Sequence, residues 1–393
     1  MEPNKEIKIA IVHDFLVQYG GAERVLEVLA EMYPEAPIYT LLYDKEKMRG
    51  KFSDKVVFTS FLQKFPKFLR QRYRYLLPLM PTAPETFDLR EFDLVISSSG
   101  AWSKGIVTRL NTMHVAYIHS PMRFAWDYNE KYLQENRKER VAFLVRPILN
   151  YLRLWDKAAA DRPDYLIANS KYTQARIKKY YGRESVVVYP PIDLKSEIRN
   201  PKSETNLNNQ IQNLKQTKNQ EPKTKNYFLV VSRLSAYKKI DVVIEAFNKL
   251  ESPLVIIGEG PQAKYLRKIA NKNIRFLGWQ SDEKIREYYA GARAFIFPSV
   301  DDFGMAPVEA MSFGTPVLAI REGGAKEIVI EGRTGEFFDA ATPEVIADGV
   351  RRLVENEKNY DKNVITNRAR EFDKERFKKE FTEYVDSILE AKL

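Results

Sequence analysis

Two acidic side chains, Asp301 and Glu309, stand eight positions apart in the run AFIFPSVDDFGMAPVEAMSFGTPVLAI, which extends from Ala294 to Ile320. The run reads as a strand over Ala294–Phe297, a turn opened by Pro298 and Ser299, and a loop ending at Gly304. A helix closed by Gly314 and a second strand over Pro316–Ile320 complete it. Glycine at the mouth of such a helix lets a ligand approach the backbone, and the free N–H groups of the first turn attract oxyanions. The two carboxylates bracket that mouth. The plain alternative is an ordinary strand–loop–helix turn whose acids are solvated.

Other candidates carry the opposite charge. In LVVSRLSAYKKIDVVIEAF, Arg233 and Lys238 leave the end of a strand and precede a helix, which puts two permanent cations at a sheet's carboxyl edge. Fixed cations there suit a diphosphate, whose charge grows as it departs, and so stabilise a transition state more than a ground state. Lys239 reads as solvated. Nearer the N-terminus, a strand over Ile7–Val12 runs into the loop His13–Gly21 and a helix from about Ala22, so Gly20-Gly21 combines bare backbone with free amides at a helix mouth. Gly258-x-Gly260, with Ala263 in the third small position, formally satisfies a dinucleotide fingerprint. The following strand ends in Gly278-Trp279 rather than an acid for a ribose, which argues against NAD, and Gly258 and Gly260 are assigned to close packing around the ligand.

The elements that must position these groups alternate. Strands are expected at Ile7–Val12, Leu94–Ser97, Val115–His119, Tyr165–Ala168 and Val186–Tyr189, with helices at Ala22–Met32, Val141–Ala160 and Tyr172–Tyr181. At Pro190-Pro191 the pattern stops, and Lys195–Asn226 is almost purely polar, the composition of a disordered linker. Alternation restarts with strands at Tyr227–Val231, Leu254–Ile257, Ile274–Leu277, Ala294–Phe297 and Val317–Ile320. Strands alternating with helices imply parallel βαβ units. The expected architecture is therefore α/β: two Rossmann-like, doubly wound parallel-sheet domains facing across a cleft. The first spans 1–192, the linker 193–226 and the second 227–393, with the last helix crossing back to the first.

Composition narrows the classes. The 393 residues suffice for two full cores, and no apolar run approaches the ~20 residues that span a bilayer. The first residues read as a strand rather than a signal peptide. No cysteine is present and only three histidines are, His13, His114 and His119, so no thiolate chemistry and no metal site are expected. These features favour the cytoplasm. The net charge of +10 is concentrated: from Lys55 to Pro84 no acid occurs, while Lys64, Lys67, Arg70, Arg72 and Arg74 interleave with Phe61, Phe65, Phe68, Tyr73 and Leu76. That stretch suits an anionic membrane surface or, equally, a helix turning its aromatics to the core. No nucleic-acid motif accompanies the charge.

The Ala294–Ile320 run resembles the Glu-x7-Glu element of the retaining glycosyltransferases of family 4, which have the GT-B fold, with Asp301 standing where the family has Glu. HDFLVQYGGAERVLEVLA, LVVSRLSAYKKIDVVIEAF, MHVAYIHSPMRFAWD and YLIANSKYTQARIKKYYG resemble further segments of that family, so the likeness covers nearly the whole chain outside Lys195–Asn226. The resemblance implies that Asp301 and the amides of Phe303, Gly304 and Met305 hold the donor sugar and that Glu309 holds the ribose. It implies that Gly20, Gly21, Arg233 and Lys238 hold the diphosphate, and that His119 hydrogen-bonds the sugar and need not act as a base. His13 and Asp14 are second-tier candidates, and His114 a packing residue.

It further implies a metal-independent transferase without a cofactor. The donor would be a nucleoside-diphosphate hexose, GDP-mannose by likeness to bacterial mannosyltransferases of O-antigen and exopolysaccharide synthesis. The acceptor would be a glycan or a lipid-linked glycan, reached from the cytoplasm or the inner face of the plasma membrane. Three alternatives compete. A glycoside hydrolase would use Asp301 and Glu309 but leave Arg233 and Lys238 without a task. A nucleotide-sugar epimerase would share the fold, and a non-catalytic surface or nucleic-acid binder would use only the basic charge.

Overall fold

The computed structural model describes residues 7–127, 142–194 and 227–391; the segment Lys195–Asn226, expected to be a disordered linker, lies outside them. The chain divides into two compact units, 1–191 with 377–393, and 192–376.

The first unit holds a seven-stranded sheet in the order β3-β2-β1-β4-β5-β6-β7, every pair parallel. Its strands are β1 (Ile9–Leu16), β2 (Ile38–Tyr43), β3 (Val57–Thr59), β4 (Leu94–Ser99), β5 (Met113–Ile118), β6 (Tyr165–Ala168) and β7 (Val186–Val187). β1, β4 and β5 are buried almost throughout, as strands covered on both faces must be. Helix α1 (Gly21–Met32) presents Val25, Leu26 and Leu29 to one core. Helices α2 (Ala142–Ala160) and α3 (Lys171–Tyr181) bring Ala160, Ile177 and Tyr181 to another. The chain's last helix, Lys374–Glu390, packs Phe377, Phe381, Val385 and Ile388 into the core of this unit.

The second unit holds a six-stranded parallel sheet in the order β10-β9-β8-β11-β12-β13. Its strands are β8 (Phe228–Val231), β9 (Leu254–Ile257), β10 (Ile274–Gly278), β11 (Ala294–Phe297), β12 (Val317–Ile320) and β13 (Gly335–Phe338). Two strands that crowd the middle of this order, β8 and β11, lead into the loops carrying Arg233 and Asp301, so adjacency in the sheet sets those loops side by side. Strands β2, β3 and β13 were not expected from sequence. β2, IYTLLY, is apolar on both sides and lacks the alternation that marks a half-exposed strand; β13, GEFF, is short and opens on glycine.

The basic stretch is not one helix. Pro66 separates a 3-10 turn over Phe61–Lys64 from a short helix over Lys67–Gln71. The aromatics divide accordingly: Phe61, Phe65 and Tyr73 lean on a core containing Leu62, Leu76 and Met80, whereas Phe68 and Tyr75 are 64% and 72% exposed.

Two buried polar groups fix the loop after β4. Asp14 accepts hydrogen bonds from four consecutive amides, Gly100, Ala101, Trp102 and Ser103, at 2.6–2.9 Å. Just beyond, the fully buried Lys104 ammonium lies 2.5 Å from Asp156 of α2, whose other oxygen accepts from Trp126 and Tyr181. An ion pair so enclosed survives only because these extra donors satisfy the carboxylate.

His114 sits fully buried on β5, with its Nε2 2.8 Å from Ser97 Oγ. Burial, and then the charges of Arg183 and Arg162, push its pKa down to about 3. The native ring is therefore neutral where the unfolded ring, near 6.5, is charged. Its contribution is whole above pH ~6.5 and is lost as pH falls toward 3, because the unfolded chain then binds the extra proton. Below pH 6.5, wild type should lose about 1.4 kcal/mol more stability per pH unit than His114→Gln. Urea titrations read by Trp102, Trp126 and Trp155 fluorescence check this, and identical pH slopes would exclude it.

Candidate active site

At the carboxyl edge of the second sheet a cation meets a carboxylate. Lys238 Nζ lies 2.5 Å from Asp301 Oδ2, and both side chains are mostly buried, at 14% and 19% exposure. The loop after β8 supplies Lys238 through a 3-10 turn over Ala236–Lys238, and the loop after β11 supplies Asp301. The ammonium also lies 5.1 Å from the Tyr237 ring centroid and 6.0 Å from that of Phe297, an aromatic lining that suits a cation. Arg233 lies exposed on the same β8 loop.

Glycines hold both loops by close backbone approach. A side chain on Gly258 would put its Cβ 1.9 Å from the Ser232 carbonyl oxygen, and one on Gly260 would come within 2.3 Å of Leu234 oxygen. Ladder-like bonds run from Ser232 N–H to Ile257 oxygen and from Leu234 N–H to Glu259 oxygen. Gly258 and Gly260 therefore clamp the Arg233 segment. On the other side, a Cβ on Gly323 would meet Asp301 oxygen at 2.4 Å, and one on Gly324 would meet Phe303 Cα at 2.3 Å. The Gly324 amide donates to Asp301 oxygen at 2.9 Å. These two glycines escaped the sequence reading, although Gly-Gly just before a helix is the signal that singled out Gly20-Gly21.

Gly304 caps helix α4 (Met305–Ser312) with φ +98°, a left-handed value that favours glycine, and its Cβ would strike the Phe297 ring. Phe303 is buried, with its ring against Phe372, so its side chain belongs to the core. Glu309 lies on α4, where its Oε2 accepts from Tyr289 at 3.1 Å. The sheet edge thus gathers Arg233, Lys238, Asp301 and the 303–305 backbone, while Glu309 sits one turn further along α4.

The first unit offers a different chemistry at its carboxyl edge. Ser98 Oγ lies 3.0 Å from His13 Nδ1 and 2.8 Å from His119 Nε2, so one hydroxyl ties both imidazoles together. His13 Nε2 is 3.6 Å from Glu23. Burial, and then the neighbouring His13, push His119 down to about 3, against the opposing pull of Asp14. His119 is therefore a neutral hydrogen-bonding group at neutral pH. Gly20 caps α1, but its own amide donates to Glu23 Oε2 at 2.8 Å, so the amides offered at this helix mouth begin at Gly21. Asp14 is committed to the four amides of the β4 loop. Among the described residues no group of three or more His, Asp or Glu is placed to hold a metal ion, and no helix is long and apolar enough to cross a membrane.

Two family models match the chain, one for each half. "Glycosyltransferase Family 4" matches residues 19–196, and "Glycosyl transferases group 1" matches residues 211–371. An alpha-1,3/1,6-mannosyltransferase of Dictyostelium discoideum is 22% identical over 96% of this chain and 97% of its own length. A GDP-mannose-dependent alpha-(1-6)-phosphatidylinositol monomannoside mannosyltransferase of Mycobacterium tuberculosis is 26% identical over 49% of this chain and 53% of its own. The chain spans 54%, 35% and 28% of the length of three further curated relatives that it matches. The crystal structure of Anabaena HepE with UDP-glucose superposes with a TM-score of 0.69 at 19% identity, over 97% of this chain and 100% of that one, which establishes the fold.

If Gly324 buttresses the Asp301 loop, Gly324→Ala must push Phe303 backbone aside. Overpacking of this kind costs about 1–3 kcal/mol. Unfolding read by Trp279 fluorescence should shift to lower denaturant by that amount. An unchanged midpoint would remove the buttress.

Proposed function

We propose that this chain, which belongs to the family 4 glycosyltransferases and has their GT-B fold, moves a hexose from a nucleoside-diphosphate sugar to a glycan or lipid-linked acceptor with retention at the anomeric carbon. GDP-mannose is the preferred donor, a choice supported by the two mannosyltransferase relatives, one of them named as GDP-mannose-dependent. The bond from the anomeric carbon to the phosphate oxygen breaks, and the acceptor hydroxyl forms its bond on the same face. Its proton passes to the departing phosphate oxygen.

The observation that carries this reading is the Lys238–Asp301 pair. When the donor enters, the diphosphate takes Lys238 and Arg233, and the sugar hydroxyls take Asp301, so each member of the pair exchanges one charged or polar partner for another. Lys238 then faces the growing negative charge of the leaving group, where fixed cations lower the barrier. The amides of Phe303, Gly304 and Met305 position the sugar and Glu309 the ribose. Gly21, with Gly20 shaping the turn, offers amides to phosphate, and neutral His119 hydrogen-bonds a sugar hydroxyl. The protein's own cations supply the electrostatic stabilisation, so no metal-dependent step is needed.

A panel of nucleoside-diphosphate sugars scored by thermal shift identifies the donor, because binding to the folded state raises its stability. Lys238→Ala should then lower turnover about a hundredfold, the ~3 kcal/mol that one positioned donor to a developing charge is worth. Asp301→Ala should abolish transfer yet bind the nucleoside diphosphate at least as tightly as wild type, since it releases Lys238 from its partner. Wild-type turnover in Lys238→Ala with folding intact would remove the site. Conversion of the donor with no acceptor present would favour the epimerase, and affinity for nucleic acid without any sugar-nucleotide requirement would favour the basic binder.

A peripheral position on the cytoplasmic face of the membrane belongs to the same reading. It is supported by Phe68 and Tyr75, exposed beside Lys64, Lys67 and Arg72 in a stretch with no acid between Lys55 and Pro84. Phe68→Ser with Tyr75→Ser should weaken binding to phosphatidylglycerol vesicles, and the binding of wild type should fall with salt. Equal vesicle binding by both proteins would leave these rings without a membrane role.

A further inference from the structure

Where β2 ends in the first unit, the short helices Lys45–Met48 and Lys67–Gln71 enclose a cavity of about 210 Å³. Four cations line it, Lys45, Lys47, Lys67 and Arg70, against two acids, Asp44 and Glu46. The acids do not neutralise it. Lys47 reaches Asp44 only at 3.6 Å, and Asp44 also spends an oxygen on the Lys47 amide as a helix cap. Lys67 reaches Glu46 at 3.6 Å with both side chains well exposed, a pairing worth little. Lys45 enters no ion pair among the described residues, and the Nε of Arg70 is buried without a hydrogen-bond partner. The Arg70 guanidinium enters no ion pair among the described residues, and it lines the cavity as a permanent cation. The cavity wall is otherwise set: Gln63 is held by both backbone groups of Tyr43, and the Tyr43 and Tyr73 side chains close it.

The location matters as much as the charge. In open α/β sheets ligands bind beyond the carboxyl ends of the strands, and this cavity lies there, beside Val17 of the loop that follows β1. Several cations around one small cavity, one of them a planar guanidinium fork, match a phosphate better than a singly charged carboxylate. We propose that this cavity binds a phosphate group of the acceptor, a phosphomonoester or a diphosphate. The proposal rests on the glycosyltransferase reading for the word acceptor, but the phosphate site stands on the cavity alone. The acceptor is then an anionic one, and the first unit selects it through Arg70, Lys67, Lys45 and Lys47. The same short helix turns Phe68 outward, so a phosphate held at Arg70 lies within one helical turn of an apolar surface.

The test uses the full chain carrying Arg233→Ala and Lys238→Ala, so that the proposed donor cations cannot bind the probe. Titration calorimetry with inorganic pyrophosphate should show binding that weakens about tenfold or more on adding Arg70→Gln, the usual worth of a hydrogen bond to a charged group. The exposed Lys67→Gln should weaken it by a few-fold, and Arg70→Lys should restore part of the loss. Absence of pyrophosphate binding in the starting protein, or equal affinity with and without Arg70→Gln and Lys67→Gln, overturns the proposal. Phosphatidylcholine vesicles containing phosphatidic acid separate the sources. A larger loss on vesicles than in solution assigns the phosphate to a lipid-linked acceptor, and an equal loss assigns it to a soluble one. Failure of the donor reading appears elsewhere, as unchanged nucleotide affinity when Arg233 and Lys238 are removed.

Discussion

One contact organises the second unit: the ammonium of Lys238 against the carboxylate of Asp301, brought together across 63 residues of sequence. Neither loop would hold its charge there alone. The β8 segment is pinned because Gly258 and Gly260 let the β9 loop lie directly on Ser232 and Leu234. The β11 segment is pinned because Gly323 and Gly324 let the β12 loop lie on Asp301 and Phe303. Any side chain at these positions would wedge the strands' exits apart. The parallel sheet makes the meeting possible, since β8 and β11 are neighbours and both run toward the same edge. An ion pair held by backbone packing is pre-organised: a ligand that replaces either partner meets charges already in place, and little reorganisation accompanies its arrival.

The edge of the first unit is built on the opposite principle. Its two imidazoles share the Ser98 hydroxyl, and burial keeps His119 neutral. Its acid, Asp14, is spent on four amides and so turns a loop rather than facing a ligand. Such an edge discriminates by hydrogen-bond geometry and not by net charge, which suits sugar hydroxyls. Cations gather beyond β2, where Lys45, Lys47, Lys67 and Arg70 line one cavity. The unit therefore separates a neutral polar region from a cationic one along a single sheet edge.

Much of this was legible because local rules govern it. Ten strands and the helices Ala22–Met32 and Tyr172–Tyr181 were read within a few residues, since long apolar periodicity and glycine stops are local signals. The placement of Arg233, Lys238 and Asp301 at strand exits was legible for the same reason. The pairing of Lys238 with Asp301 was not, because register between distant loops depends on sheet order. Nor was the clamp formed by Gly323 and Gly324, whose use appears only when the opposing backbone is seen. A single helix would carry Phe61, Phe65 and Phe68 on one face, turned to a membrane or to the core; Pro66 breaks that face, so Phe61 and Phe65 turn to the core and Phe68 to the surface. Gly20 was read as a phosphate amide, but Glu23, three residues on, already accepts from it, a capping arrangement visible in the spacing itself.

The departure at Asp301 acquires a physical account from the same clamp. Asp is one methylene shorter than the Glu of the resembling element, so its carboxylate sits roughly 1.5 Å nearer its own backbone. A shift of ~1 Å in a positioning group can cost about a hundredfold in rate, so a shorter side chain demands a displaced backbone. The Asp301–Phe303 segment rests so closely on Gly323 and Gly324 that not even a Cβ fits between them, and its position is therefore dictated by the β12 loop. Lys238 meets the short carboxylate directly at 2.5 Å, with no gap that a longer side chain would be needed to fill. The loop, the two glycines and the short acid form one solution. A longer acid grafted onto this backbone would have to bend away from Lys238 to avoid overlapping it, and would leave the cation nearer to solvent.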